Sequence, residues 1–262
     1  MTLYKNNITL NRNNIIIIIF LFLVVNYAFF NYRILFRENG YILGDWLLNY
    51  SGGFIRRGLI GHFFYLISKS FNFSIIHIVY FFSTSIYIFS LYFFYQIIKN
   101  KLDNNLILIF ILLPSTFLFN FFDPLSVGRK EILVFFFFSF YFLNLDKIRL
   151  NLIFQIFIFF LSIIFILTHE ILFFLIPYLF VLKYYHIKKY NEKFNVKNYY
   201  LEILIFITGL IIMILFLIFH DKHNNEILCN SLNDVRLSTD LCYGIFNDFK
   251  TATERKEILF SY

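Results

Sequence analysis

Asn151–Leu182 reads NLIFQIFIFFLSIIFILTHEILFFLIPYLFVL, an apolar run broken chiefly by Gln155 and by Thr168-His169-Glu170. One helix of this length would measure roughly 48 Å at about 1.5 Å per residue. A bilayer core is only about 30 Å thick. Two short spans with a tight turn at His169-Glu170 fit better, and such a hairpin returns the chain to the side it left. The flanks agree: Asp146-Lys147-Ile148-Arg149 before it and KYYHIKKYNEKFNVK (183–197) after it are both net basic.

The whole composition supports a bilayer. Of 262 residues, 60% are hydrophobic, 23% aromatic and 15% charged, whereas a soluble chain is nearer 45–50% apolar and roughly 25% charged. Three prolines and nine glycines leave little for linkers. The net charge of +7 does not indicate nucleic acid, because the basic residues fall between apolar spans rather than in one patch. They mark orientation instead. Matching apolar runs to roughly 20 helical residues predicts an all-α, polytopic helical bundle of seven spans: 14–33, 75–98, 104–122, 131–146, 151–168, 170–185 and 200–220. The first follows Lys5 and Arg12 and lacks a small-residue cleavage site, so a retained signal-anchor is expected.

With this parity the positive-inside rule makes the N-terminus, 99–105, 146–150 and 183–197 cytoplasmic. Residues 34–74, 123–131, the His169-Glu170 turn and the 221–262 tail then lie outside the inner membrane. Residues 1–220 form the membrane domain. The tail holds Cys229 and Cys242, whose disulfide would form in an oxidising compartment. It would close a loop of about 14 residues and stabilise the tail by roughly 3 kcal/mol; two unpaired cysteines are the alternative.

Every unusual polar cluster falls on the outer side. SGGFIRRGLIG (51–61) precedes a helix too short to span, Gly58–Ile67, which is expected in the interface. Trp46, Tyr50, Phe63, Phe64 and Tyr65 suit headgroup depth. Open backbone N–H groups at a helix start favour anions, and the forked donors of Arg56 and Arg57 match phosphate oxygens. Headgroup anchoring is the plainer alternative. Leu59-Ile60 replace the Lys-Ser/Thr of a Walker A loop. In FFDPLSVGRKEI (121–132), Asp123-Pro124 is a helix-start signal, and Arg129 at the mouth of a span calls for an anionic partner; ordinary capping and snorkelling would also explain it. His169 or Glu170 could take a proton from a hydroxyl nucleophile, or be a polar turn in the headgroups. His220, Asp221, Lys222, His223 and nearby Glu226 have too few convergent ligands for a metal. No metal site and no cofactor are implied; a divalent ion is compatible with the chemistry but has no ligand set here.

GRKEILVFFFFSFYFLNL, DKIRL, LIFQIFIFFLSIIFILTHE and ILFFLIPYLF follow one another over about residues 121–182. An outer Arg, a span, a short basic loop, a span ending in His, and an apolar helix with Pro resemble the O-antigen or Wzy-type polysaccharide polymerases and their capsule and exopolysaccharide relatives. Arg129 and His169 match by position. The chain departs from such polymerases in having fewer spans and no large late outer loop. Asp45 in the first outer loop, the interfacial helix after it and Asp123 also resemble GT-C class polyprenyl-phosphate-sugar glycosyltransferases, which would make Asp45 the base. Both resemblances imply a glycan transferase or polymerase acting on a polyprenyl-(pyro)phosphate-linked saccharide at the outer face, with membrane lipid and other polysaccharide-assembly membrane proteins as partners. A lipid or polysaccharide transporter and a non-enzymatic membrane subunit remain as other classes. The few charges inside the spans argue against a polar ion route.

Overall fold

The computed structural model describes residues 12–38, 40–53, 55, 57–99, 123, 127–190, 195–219 and 225–235. Almost all of these are helical, and none lies in a strand. Four helices are long and apolar enough to cross a membrane: Asn14–Phe36, Ile75–Ile98, Ile171–Lys189 and Tyr200–Phe219. Ile132–Leu143 and Leu152–Thr168 are shorter apolar helices. The expected span 104–122, along with His220–His223, lies outside the described residues. These are the features of a membrane-embedded helical protein.

In chain order the helices are α1 (Arg12–Arg33), α2 (Gly40–Leu47), α3 (Gly58–Phe71), α4 (Ile75–Ile98), α5 (Ile132–Leu143), α6 (Leu145–Leu150), α7 (Leu152–Thr168), α8 (Ile171–Lys189), α9 (Tyr200–Phe219) and α10 (Asn225–Asn233). A π-helical turn, Ile34–Glu38, continues α1. The long helices bury only a minority of their apolar side chains. Phe22, Val25, Phe81, Phe89, Ile153 and Leu217 all face outward, as expected where the solvent is hydrocarbon.

α4 is the central strut, with α1 and α5 against it. Its inward face carries Ser83 and Ser90, whose hydroxyls bond back to the carbonyls of Val79 and Ile86. Small residues with satisfied hydroxyls let apolar helices approach closely. Tyr27 of α1 stacks on Tyr87 at 3.9 Å between centroids. Asn31 of α1 donates to Ser83 Oγ at 2.8 Å and Thr84 Oγ1 at 3.1 Å, so a buried amide does not leave its donors unmade.

The 151–182 segment is a hairpin. Asn151 caps α7 by accepting from the N–H groups of Ile153 and Phe154. His169 then adopts an extended backbone, φ −154° and ψ 112°, and α8 runs back. Contacts at two levels pair the arms. Gln155, near the start of α7, shares a cavity with Lys183, late in α8. Near the turn, Ile166 and Phe173 both crowd Gly209 of α9, where an added Cβ would lie 2.7 Å from Phe173. α9 therefore lies in the angle between the two arms.

Several details differ from the expectations. The span foreseen at 131–146 is a 12-residue helix that breaks at Asn144 into α6. α8 continues to Lys189, so the first part of the basic loop is helix. Trp46 does not face outward but is wholly buried within the bundle, as is Phe64. Both sit in an aromatic cluster with Phe82 of α4, whose edge-to-face contacts favour burial. Phe63 does face outward. In the tail, α10 packs on the Tyr50–Gly52 turn, burying Leu228, Cys229 and Leu232. Cys229 is disulfide-bonded; Cys242 lies outside the described residues.

Candidate functional site

α2, the start of α3, the start of α5 and the α7–α8 turn meet at one end of the bundle. There a polar network closes around Arg57. Its guanidinium donates from Nε to Glu170 Oε2 at 2.6 Å and from Nη2 to Glu170 Oε1 at 2.5 Å. This is the two-toothed geometry that makes Arg–carboxylate pairs strong. Nη1 lies 3.6 Å from Asp45 Oδ1. The side chains of Arg57 and Glu170 are 24% and 12% exposed, so the pair is partly shielded from water.

Arg57 holds the left-handed conformation, φ 65° and ψ 10°, which costs an L-residue about 1 kcal/mol or more. The fork to Glu170 helps to offset that cost at the residue just before α3. A non-glycine residue in such a conformation at a charged cluster is the kind of outlier from which function can be argued.

Lys130 is fully buried, with no exposed side-chain surface. Its Nζ donates to the Arg57 carbonyl at 2.9 Å, lies 3.9 Å from Asp45 Oδ1 and stands 5.7 Å above the Trp46 ring, within cation–π range. Burial pushes its pKa down from 10.5 to about 8, with Asp45 opposing and Arg57 adding to the fall. Loop 127–131 is aimed by two contacts. The Trp46 indole N–H donates to the Gly128 carbonyl. Gly128 has φ +84°, and a Cβ there would come within 2.5 Å of Asn31 Oδ1. Only glycine fits that turn.

Asp45 Oδ1 is buried and accepts no hydrogen bond, although two cations stand 3.6 and 3.9 Å away. Those distances are too long for direct hydrogen bonds. They allow a hydroxyl oxygen to reach the carboxylate and a cation together. Buried acceptors left in this state are uncommon.

His169 is largely buried. Its Nδ1 accepts the Ile171 backbone N–H at 3.2 Å, so the neutral ring carries its proton on Nε2. Nε2 faces Glu131 Oε1 at 3.9 Å. Burial, then the nearby Arg57 charge, hold the His169 pKa below its ordinary value. The ring is thus built to donate from Nε2 rather than to accept a proton there.

Of the residues expected from sequence, Asp45, Arg57, His169 and Glu170 are brought together. Arg129 is exposed, and its neighbour Lys130 turns inward instead. Arg56 lies outside the described residues. Among the described residues no group of three or more His, Cys, Asp or Glu could hold a metal ion. Lys130 was missed because an Arg-Lys-Glu triplet at a helix mouth does not reveal which member faces inward. Gly128 just before it was the available signal, since a glycine at a helix entrance sets the phase of the next helical residues. Compared with known protein families, curated proteins and solved structures, the chain matches none.

Proposed function

We propose that this chain is a multi-pass protein of the inner membrane that transfers or polymerises glycan from a polyprenyl-(pyro)phosphate carrier, using the Asp45–Arg57–Lys130–Glu170 network at its outer face. The observation that carries this reading is Asp45 Oδ1, buried without a hydrogen bond between two cations. In the proposed orientation the N-terminus is cytoplasmic and the C-terminus extracytoplasmic. Lys183, Lys188 and Lys189 support it, since they lie toward the end of α8 opposite Glu170.

The reaction assigns each group a task. The Asp45 carboxylate accepts the proton of the acceptor hydroxyl. The new sugar–oxygen bond forms as the sugar–phosphate bond breaks, and the carrier leaves as its (pyro)phosphate anion. Lys130 and Arg57 stabilise the charge developing on that group, Glu170 holds the guanidinium in register, and His169 donates from Nε2. Asp45→Asn keeps the shape but removes the proton acceptor. It should lower release of polyprenyl phosphate from lipid-linked saccharide in isolated membranes by about 100-fold or more at unchanged protein abundance. Undiminished release would refute the assignment.

The Lys130 charge adds a pH signature. Its ammonium is present below about pH 8 and lost above it, so transfer should decline as pH rises through 8. Stability should move the other way. Between about 8 and the ordinary 10.5 the unfolded chain binds more protons than the folded one, so unfolding free energy rises with pH in that window. Activity falling while the melting temperature rises would separate lost charge from lost fold, and Lys130→Met should abolish both trends.

A second reading has its own observation. Asp45 and Glu170 balance Arg57 and Lys130, so the network is neutral as it stands. A neutral lock joining three polar junctions would suit a non-enzymatic membrane subunit.

A further inference from the structure

The Arg57 network is set back from the ends of the longest helices. Its level is marked on α4. The Gly128 carbonyl accepts from Trp46, whose ring lies 5.9 Å from Phe82, and Phe82 is also 5.1 Å from Phe64 of α3. α4 begins at Ile75, two turns before Phe82, and so runs roughly 10 Å past the network at 1.5 Å per residue. α1 with its π-helical turn ends at the same height, since Phe36 packs on His77 with ring centroids 5.0 Å apart. α9 gives an independent measure. Gly209 is level with Phe173, just inside the α7–α8 turn, and α9 continues from there to Phe219. It overshoots Glu170 by roughly 10 Å. α7, by contrast, has 17 residues and measures roughly 26 Å, less than a hydrocarbon slab of about 30 Å.

We propose that α3 is a re-entrant helix embedded among lipid acyl chains, and that the Arg57 network is a hydrated recess roughly 10 Å below the nearer bilayer surface. α1 with its turn, α4 and α9 are each long and apolar enough to cross a membrane, so their ends on this side mark the edge of the slab. The outward side chains agree. Phe63 and Leu66 of α3 and Phe81 of α4, at or just above the level of the network, are exposed and apolar. Exposed Lys69, Ser70 and Asn72 come only at the turn between α3 and α4. Phe71 and Phe73 stack at that turn with centroids 6.3 Å apart, where aromatic rings suit the interface. Arg33, at the end of α1, is close enough to this edge for its long side chain to snorkel to it.

A charged network at this depth has to be wet. Beside Lys130, Arg129 is exposed and Glu131 is partly exposed at the start of α5. Charge facing hydrocarbon is costly, and ionisable groups below a membrane surface face the protein interior or a water-filled cavity. The recess is therefore entered between the start of α5 and the α7–α8 turn, where Glu131 Oε1 faces His169 Nε2 at 3.9 Å. The shortness of α7 keeps that entrance below the edge of the slab, and α3 dips into the leaflet instead of lying flat on it. This placement rests on helix lengths and levels, and it stands whether or not the network transfers glycan.

Nitroxide depth profiling of the full-length protein in lipid nanodiscs tests it, with the natural disulfide left intact. Single cysteines replace Phe63, Phe73, Phe81 and Leu217, all outward-facing positions whose labels leave the core undisturbed. Collision with dissolved oxygen, compared with collision with a water-soluble nickel chelate, gives the depth of each label. Those in Phe63→Cys and Phe81→Cys should lie roughly 10 Å deeper than those in Phe73→Cys and Leu217→Cys. Labels in Arg129→Cys and Glu131→Cys, near the level of Phe63, should instead meet the nickel chelate several-fold more often than the Phe63→Cys label does. Equal depths in Phe63→Cys and Phe73→Cys would show that α3 lies flat in the interface. Labels shielded from nickel in both Arg129→Cys and Glu131→Cys would show that no hydrated recess exists. Either result overturns the proposal. Neither readout uses activity, so undiminished transfer in Asp45→Asn would refute the glycan assignment and leave this placement intact.

Discussion

Arg57→Ala is expected to remove about 3 kcal/mol of stability and to abolish the proposed glycan transfer. The substitution leaves Glu170 without its two-toothed partner and takes from Asp45 one of the two cations that stand near it among the described residues. Breaking a buried pair from one side costs about 3–5 kcal/mol because the other charge is stranded. Arg57 keeps a quarter of its side chain exposed, which places the loss at the lower end. Glu170→Ala removes the acceptor of the fork in turn and leaves Asp45 Oδ1 3.6 Å from Nη1. The double variant should recover about 1–3 kcal/mol relative to the sum of the two losses. Thermal unfolding in micelles and carrier-phosphate release from membranes, measured on the same four proteins, separate the two readings of the network. Recovered stability without recovered transfer identifies a reaction site. If both return together in the double variant, the pair is a lock and the enzyme reading falls.

Arg57→Lys sharpens this test. Lysine keeps the charge but has no planar fork, so it should preserve most of the stability while transfer drops sharply. The phosphate of the proposed substrate would meet cations already balanced by carboxylates. Its binding must therefore draw Arg57 partly away from Glu170, and that exchange depends on the second tooth of the fork.

Gly61→Ala is expected to be the most damaging change of a single methyl group. A Cβ at this position would lie 2.0 Å from the Leu48 carbonyl oxygen and 2.6 Å from that of Trp46. Both obstacles are backbone, so neither can turn aside as a side chain would. α3 would have to lift from the end of α2, separating Arg57 from Asp45 and uncovering Phe64. Overpacking a close contact costs about 1–3 kcal/mol and occasionally more; here a loss above about 3 kcal/mol, or no folded protein, is expected. Gly209→Ala is the informative contrast. Its nearest obstacle is the Phe173 ring at 2.7 Å, which can swing outward, so a loss of about 1 kcal/mol should suffice. Equal melting temperatures for the two variants would show that α3 is not seated as described.

The hairpin at 151–182 was legible from length and from its flanks, because a 32-residue apolar run is too long for one helix across a slab of known thickness and basic residues on both sides favour a return. Ser51–Gly61, the 123–131 loop and His169-Glu170 were legible for a related reason: each interrupts an apolar pattern, and polar groups in such a chain collect where helices end. Other features were hidden. Trp46 looked interfacial because an indole suits headgroups, but the Gly128 carbonyl satisfies its N–H and Phe64 and Phe82 cover its rings. Arg129 looked like the inward charge, yet the left-handed turn at Gly128 rotates Lys130 inward instead. Glu170 looked like a free base and is the partner of a residue 113 positions away.

The sequence by itself therefore determined the helical, apolar, membrane-type character of this protein and which stretches between helices carry polar groups, whereas it put the ends of α5 and α8 elsewhere. Those properties depend on composition and length along one dimension. Only the tertiary structure decided that Asp45, Arg57, Lys130 and Glu170 form one balanced network, and that this network is set back from the ends of α4 and α9. Such pairings depend on loop register and helix rotation, and the contacts of distant segments set both.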